Sequence, residues 1–208
     1  MYIFNRSTTA DRNRQFEAAE AAVEIAALAA GIMGIPVNVF VTRFGAPTNT
    51  ISWSCRVDSQ AELQAAFDKL AGNDDYAKWV MTHGELFESA AVDQLSTVVS
   101  SSLNPAPAKF YTTLVAAAAN GKLADAIAFG VRAQQFVSAA TGLPTAFLSA
   151  VYGPFGTVGW LTGADSMADL DRVQEMQATN TEYHQLVAEA GPLFAEGSGL
   201  GGLIEKIN

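Results

Sequence analysis

An α+β fold of two tandem β-α-β-β-α-β modules is predicted for this 208-residue chain by three features of its sequence. The first is a duplication. Gly34-Ile35-Pro36-Val37-Asn38-Val39-Phe40 returns 108 positions later as Gly142-Leu143-Pro144-Thr145-Ala146-Phe147-Leu148. Beyond it the offset is 107: Trp53 matches Trp160, Ala61-Glu62-Leu63 matches Ala168-Asp169-Leu170, Asn73-Asp74-Asp75-Tyr76 matches Asn180-Thr181-Glu182-Tyr183, and Gly84-Glu85-Leu86-Phe87 matches Gly191-Pro192-Leu193-Phe194. The second is period-two alternation in both copies, and the third is an alanine-rich stretch at helical spacing before each copy. Self-similarity at a fixed offset is the mark of a repeated architecture.

Each element has a local reason. Tyr2 to Asn5 reads as a short strand, and Ser7-Thr8-Thr9-Ala10-Asp11 as turn and N-cap residues for a helix from Arg12 to Ala30. In that helix Phe16, Ala19, Val23, Ala26, Ala27 and Ala30 form the apolar stripe, with Glu17, Glu20 and Glu24 off it, and its alanines allow close approach to a sheet. Gly31 and Gly34 end the helix, and Pro36 opens a strand. There Val37, Val39 and Val41 face one way and Asn38, Phe40, Thr42 and Phe44 the other. After a turn at Gly45 to Asn49, Ile51, Trp53, Cys55 and Val57 make one face of the next strand, and Ser52, Ser54 and Arg56 the opposite one. Asp58 or Ser59 caps a helix with Leu63, Ala66, Phe67 and Leu70 inward; Gly72-Asn73 breaks it, and Asp74-Asp75 restarts it through Tyr76, Trp79, Val80, His83 and Phe87. Leu95 to Ser100 closes the module as a strand. The second copy predicts strands at 110–115, 145–152, 157–162 and 203–207, and helices at 123–140, 167–176 and 183–190. Ile127, Val131 and Val137 are the expected inward residues of the first of these helices. Each half is a split βαβ, or ferredoxin-like, unit, with modules at 1–103 and 110–208 and a linker at 104–109.

Composition narrows the function classes. Half of the residues are hydrophobic, enough for a sizeable core. The net charge is −9, and it is shared: seven Lys and Arg against twelve Asp and Glu up to Asn104, five against nine after it. Neither half offers a basic face, which argues against nucleic acid and anionic membrane as partners. Cys55 is the single cysteine, so no disulfide framework or thiolate metal cluster is expected. With no basic n-region ahead of an apolar segment, no signal peptide is visible, and the expectation is a cytoplasmic protein.

Two ferredoxin-like units in one chain, with a broken second helix carrying Asp74-Asp75-Tyr76 and Trp79 in one copy and Thr181-Glu182-Tyr183 in the other, resemble the dimeric α+β-barrel superfamily. The helix pattern is similar to that of antibiotic-biosynthesis-type monooxygenases and of NIPSNAP-like barrel proteins. The resemblance implies an intramolecular barrel with a ligand space lined by the faces opposite the helices. On that basis the candidate ligand residues are Arg56, Ser52, Ser54, Asn38, Phe40 and Phe44 from the first half and Tyr152 from the second. It also implies cofactor-independent oxygenation or isomerisation of an aromatic or polyketide-like compound, with no cofactor and no metal. The duplication supplies internally the pairing that single-module relatives obtain by dimerising, so a monomer or a homodimer is expected.

Arg56 is the sharpest of these residues, because an inward guanidinium can clamp a carboxylate or enolate; an arginine at a strand end can equally pair with Asp58. His83 and His184 are not repeat equivalents and read as surface residues, although a haem ligand is a third possibility. Asp74, Asp75, Glu85 and Glu88 read as a solvated face, and Cys55 as buried and inert. No general base, catalytic triad, zinc spacing or dinucleotide fingerprint is present. A non-catalytic protein whose barrel is filled by Phe40, Phe44, Leu148, Tyr152 and Leu161 is the alternative to a ligand-binding one.

Overall fold

The alternating and helically spaced segments form the predicted elements in a computed structural model that describes residues 1–104 and 106–208; Pro105 of the predicted linker lies outside the described residues. The strands are β1 (Tyr2–Thr9), β2 (Asn38–Phe44), β3 (Thr50–Val57), β4 (Val92–Ser101), β5 (Phe110–Ala117), β6 (Thr145–Tyr152), β7 (Thr157–Ala164) and β8 (Leu200–Lys206). The helices are α1 (Gln15–Met33), α2 (Gln60–Ala71), α3 (Asp74–His83), α4 (Leu123–Thr141), α5 (Met167–Thr179) and α6 (Thr181–Ala190). The strands close a barrel in the order β1-β3-β2-β8-β5-β7-β6-β4. Closure leaves no unpaired sheet edge to template association, and the fold is the tandem ferredoxin-like α+β barrel expected from the sequence.

Two compact units divide the chain: Met1–Ser96 with Glu205–Asn208, and Thr97–Ile204. Each unit therefore receives a strand end from the other half of the sequence. In the first unit the Ile207 N–H donates to the Val39 carbonyl at 3.0 Å, the Val39 N–H donates to Asn208 Oδ1 at 2.9 Å, and Arg43 pairs with Glu205 at 2.6 Å. In the second, the Ser102 N–H donates to the Thr145 carbonyl at 2.9 Å.

Within the first unit β1 and β3 run antiparallel with Phe4 opposite Cys55, Arg6 opposite Trp53 and Thr8 opposite Ile51; β2 adds Val39 opposite Trp53. Opposed residues share a face, so these side chains meet the helices together. The broken second helices are capped where polar residues were expected. The Ser59 hydroxyl accepts from the Glu62 N–H at 3.1 Å. The Asn73 side-chain oxygen accepts from the Tyr76 N–H and that of Asn180 from the Tyr183 N–H, both at 2.9 Å. Ser166 and Asp169 form a reciprocal capping box at the start of α5.

Three sequence expectations need correction. The buried stripe of α1 is Ala18, Ala21, Ala22, Ile25, Ala26, Ala29 and Met33, and Phe16 is 90% exposed. In α4 the buried residues are Ala126, Phe129, Gly130, Ala133 and Gln134, while Ile127, Val131 and Val137 are half-buried. Both helices are turned the same way relative to the expected stripe, and at the same repeat positions. A tract so rich in alanine has little apolar contrast around its circumference, and the sheet accepts the small face rather than the bulky one. Second, β1 continues through Arg6 to Thr9, because hydroxyl residues that suit a cap also suit a strand when a partner strand is at hand. Third, β8 begins at Leu200 rather than at 203, so Gly201 and Gly202 are strand residues.

Candidate functional site

Small side chains on α1 leave a gap between that helix and its sheet. A cavity of about 260 Å³ lies there, wholly within the first unit. Ile25, Ala26, Ala29 and Met33 of α1 form one wall, and Phe4, Arg6, Thr8, Trp53 and Cys55 of β1 and β3 the other. Phe67 and Leu70 of α2 with Tyr76, Trp79 and Val80 of α3 complete the enclosure, together with Phe87. The walls are packed aromatically: the Phe4 and Phe67 rings meet edge to face at 5.1 Å, as do Trp53 and Phe87 at 5.7 Å. Val80, Gly84, Ser89 and Ala91 also line it and are exposed, so the cavity opens on that side.

Several polar groups stand in this lining, and Arg6, Thr8 and Trp53 among them are engaged. Arg6 makes a two-pronged pair with Asp93, Nε to Oδ1 and Nη2 to Oδ2, each at 2.7 Å. The Asp93 hydrogen bond, against the opposing effect of burial and with help from Tyr76, pushes the Arg6 pKa up, so the guanidinium keeps its charge. The Thr8 hydroxyl donates to the Ser89 carbonyl at 2.8 Å, and the Trp53 indole N–H donates to the Ala22 carbonyl at 2.9 Å. By contrast, the Trp79 indole Nε1 is buried and has no hydrogen-bond partner. Its ring stacks on His83 at 4.5 Å and 20°, and His83 Nδ1 lies 3.0 Å from the Trp79 carbonyl oxygen. A buried donor without an acceptor costs about 1–3 kcal/mol.

Cys55 lines the same cavity and is buried. Burial pushes its thiol up to about 11 from the ordinary 9.0, with Glu62 adding a smaller effect. The folded state favours the neutral thiol, so its contribution to stability is fully present below pH 9 and is lost as pH rises through 11. Thermal melts should show the wild type losing about 2 kcal/mol more than Cys55→Ala between those limits; parallel pH profiles for the two proteins would contradict the burial argument.

The register places the residues expected from sequence as follows. Asn38 is opposite Ser54 and Phe40 opposite Ser52, while Arg56 stands opposite Ile3. These five candidates share the sheet face turned away from the helices of the first unit. The Ser54 hydroxyl donates to the Phe4 carbonyl at 3.0 Å, and Ser54 also borders the helix-side cavity. Phe44 ends β2 and is 65% exposed, and Tyr152 ends β6 in the second unit and is 60% exposed. Arg6, Tyr76 and Trp79, which bring polar groups to the cavity, were not among those candidates. His184 is exposed, with Nε2 2.8 Å from the Gln177 carbonyl oxygen. Among the described residues no group of three or more His, Cys, Asp or Glu could hold a metal ion, and no helix is long and apolar enough to cross a membrane.

No known protein-family profile matches the sequence, and no curated protein matches it. Solved structures do. A candidate monooxygenase from Fusobacterium nucleatum superposes with a TM-score of 0.73 at 6% identity, covering 100% of this chain and 92% of the other. An anthrone oxidase-like protein gives 0.70 at 13% identity, with 100% and 91% covered. A candidate monooxygenase from Lactobacillus acidophilus gives 0.67 at 10%, with 99% and 93% covered. At such identities the likeness is one of fold alone.

Proposed function

We propose that the first unit binds a compact aromatic ketone in its helix-side cavity and promotes its oxidation by dioxygen, as an anthrone-type oxygenase. The observation that carries this reading is a cavity of about 260 Å³ walled by Phe4, Trp53, Phe67, Tyr76, Trp79 and Phe87, with the unpartnered Trp79 indole N–H in one of its walls. The volume falls just under the usual 300–1,000 Å³ of ligand pockets, which suits a flat molecule of two or three fused rings. The names of the structural neighbours, monooxygenase and anthrone oxidase-like, support the same chemistry.

In this reading the substrate carbonyl oxygen accepts the Trp79 hydrogen bond. Loss of a proton from the ring methylene to water makes an enolate, whose oxygen gains more from that donor than the ketone does. The enolate carbon gives its electron pair to dioxygen and forms a C–O bond; protonation yields a hydroperoxide, and loss of one water leaves a second carbonyl. One methylene and one O2 thus become one carbonyl and one H2O. The apolar walls hold the ring in place and keep bulk water from the enolate.

Anthrone in air-saturated buffer tests the reading. Anthraquinone absorbance should rise well above the buffer rate on addition of the purified protein, with one O2 consumed per anthrone. A rate equal to that of buffer, or of heat-denatured protein, would overturn the proposal.

A further inference from the structure

The duplication allows the two units to be compared position by position, and they differ where the cavity is. Ala26 lines the cavity of the first unit. Its repeat equivalent in α4 is Gln134, buried, whose amide nitrogen donates to the Thr145 carbonyl at 3.0 Å and whose oxygen accepts from the Ser100 hydroxyl at 2.6 Å. Ala29, another lining residue, corresponds to Val137. Val39 corresponds to Phe147, which is fully buried with its ring 5.1 Å from that of Trp160. The polar groups change too: Leu114 stands where Arg6 does, and Leu186 where Trp79 does. Trp160 keeps the satisfied bond of Trp53, donating to the Gly130 carbonyl at 3.0 Å.

The first unit can afford alanine at position 26 because the backbone acceptor that Gln134 serves in the second is served otherwise. The Val37 carbonyl, equivalent to that of Thr145, accepts from the side-chain amide of Asn208 at 2.9 Å. No buried acceptor is left open by the missing glutamine, and its volume becomes part of the cavity.

We infer that the duplication does not extend to this ligand site, and that Ala26 and Ala29 on α1 set the size of the molecule it accepts. The inference rests on the reading above only in taking the cavity as the binding site, not in the oxidation. At the equivalent positions the second unit carries Gln134 and Val137 in place of the two alanines, and Leu114 and Leu186 in place of the two donors.

Tryptophan-fluorescence titrations test this, since Trp53 and Trp79 both line the cavity. The probes are 2-naphthol, with two rings, and anthrone, with three, under nitrogen to prevent turnover. The wild type should bind one equivalent of anthrone per chain. Ala26→Leu should weaken anthrone on the order of tenfold or more, the penalty of crowding a packed site, while 2-naphthol changes only a few-fold. Ala29→Val places in α1 the residue that α4 already carries there, so it serves if the leucine variant fails to fold, and the same selectivity is expected. Two equivalents per wild-type chain, or equal losses of both probes, would overturn the inference. Absence of binding by either probe would overturn it together with the cavity reading. Binding without oxidation would sink the oxygenase proposal alone, leaving this one supported.

Discussion

Trp79→Phe should lose anthrone turnover by about a hundredfold or more, the usual cost of removing one donor aimed at a developing oxyanion, while melting at or above the wild-type temperature. The two halves of this expectation pull against ordinary intuition about a buried tryptophan. The indole N–H has no partner, so the folded protein bears its desolvation without return, and removing it relieves a cost of about 1–3 kcal/mol. Phenylalanine retains a ring to stack on His83, as the indole does at 4.5 Å, so the packing loss is partial. Trp160→Phe is the control. That indole donates to the Gly130 carbonyl at 3.0 Å, so the same substitution removes a satisfied hydrogen bond and should destabilise by about 1 kcal/mol without touching turnover. Differential scanning calorimetry and the anthrone assay, run on both variants, decide the matter. If Trp79→Phe turns over normally, the indole is no oxyanion donor; if it is destabilised as much as Trp160→Phe, the N–H is satisfied in solution.

Why the sequence exposes one tryptophan's role and hides another's follows from what a pattern encodes. Alternation puts Trp53 on the helix side of its strand, and both Trp53 and its repeat equivalent Trp160 reach a carbonyl of the helix above them. Whether an indole N–H finds a carbonyl depends on the helix above it, and Ala22 and Gly130 supply one where nothing in the one-dimensional pattern announces it. Trp79 looked like a stripe residue on a broken helix, with no sign that its donor would be left over. The cavity was less legible still, because it is an absence of bulk. Alanines at 26 and 29 read as licence for α1 to approach the sheet, and at most positions they are that; only the enclosing aromatics of α2 and α3 turn two of them into a space.

Arg6 shows the cost of misplacing one strand end. Ending β1 at Asn5 sent the arginine into a turn, whereas β1 runs to Thr9 and places it opposite Trp53 on the cavity wall. By contrast, element order, the breaks at Gly72-Asn73 and at Asn180, and the caps were readable, since they rest on backbone requirements that a residue type satisfies alone. Properties that need two elements to meet were not.

Gly130→Ala should destabilise the wild type and stabilise a Phe147→Val variant, a change of sign that follows from how the two units solved the same packing problem. A methyl group at position 130 would fall inside van der Waals contact of the Phe147 ring, which is fully buried and held by Trp160 at 5.1 Å. The ring cannot yield cheaply, and overpacking of this kind costs about 1–3 kcal/mol, more than the roughly 1 kcal/mol that alanine gains over glycine within a helix. Phe147→Val alone leaves a void and should cost about 2–4 kcal/mol. In that background the alanine methyl enters the void and the helix gains its propensity term, so the second substitution becomes favourable. The double variant re-creates the Ala22 and Val39 pair of the first unit, where both residues are fully buried. Urea denaturation of the four proteins gives the coupling directly, with an expected magnitude of about 1–3 kcal/mol. A Gly130→Ala cost that is the same in both backgrounds would mean that the glycine answers to something other than the phenylalanine beneath it, and the matched exchange of bulk between the two units would lose its physical basis.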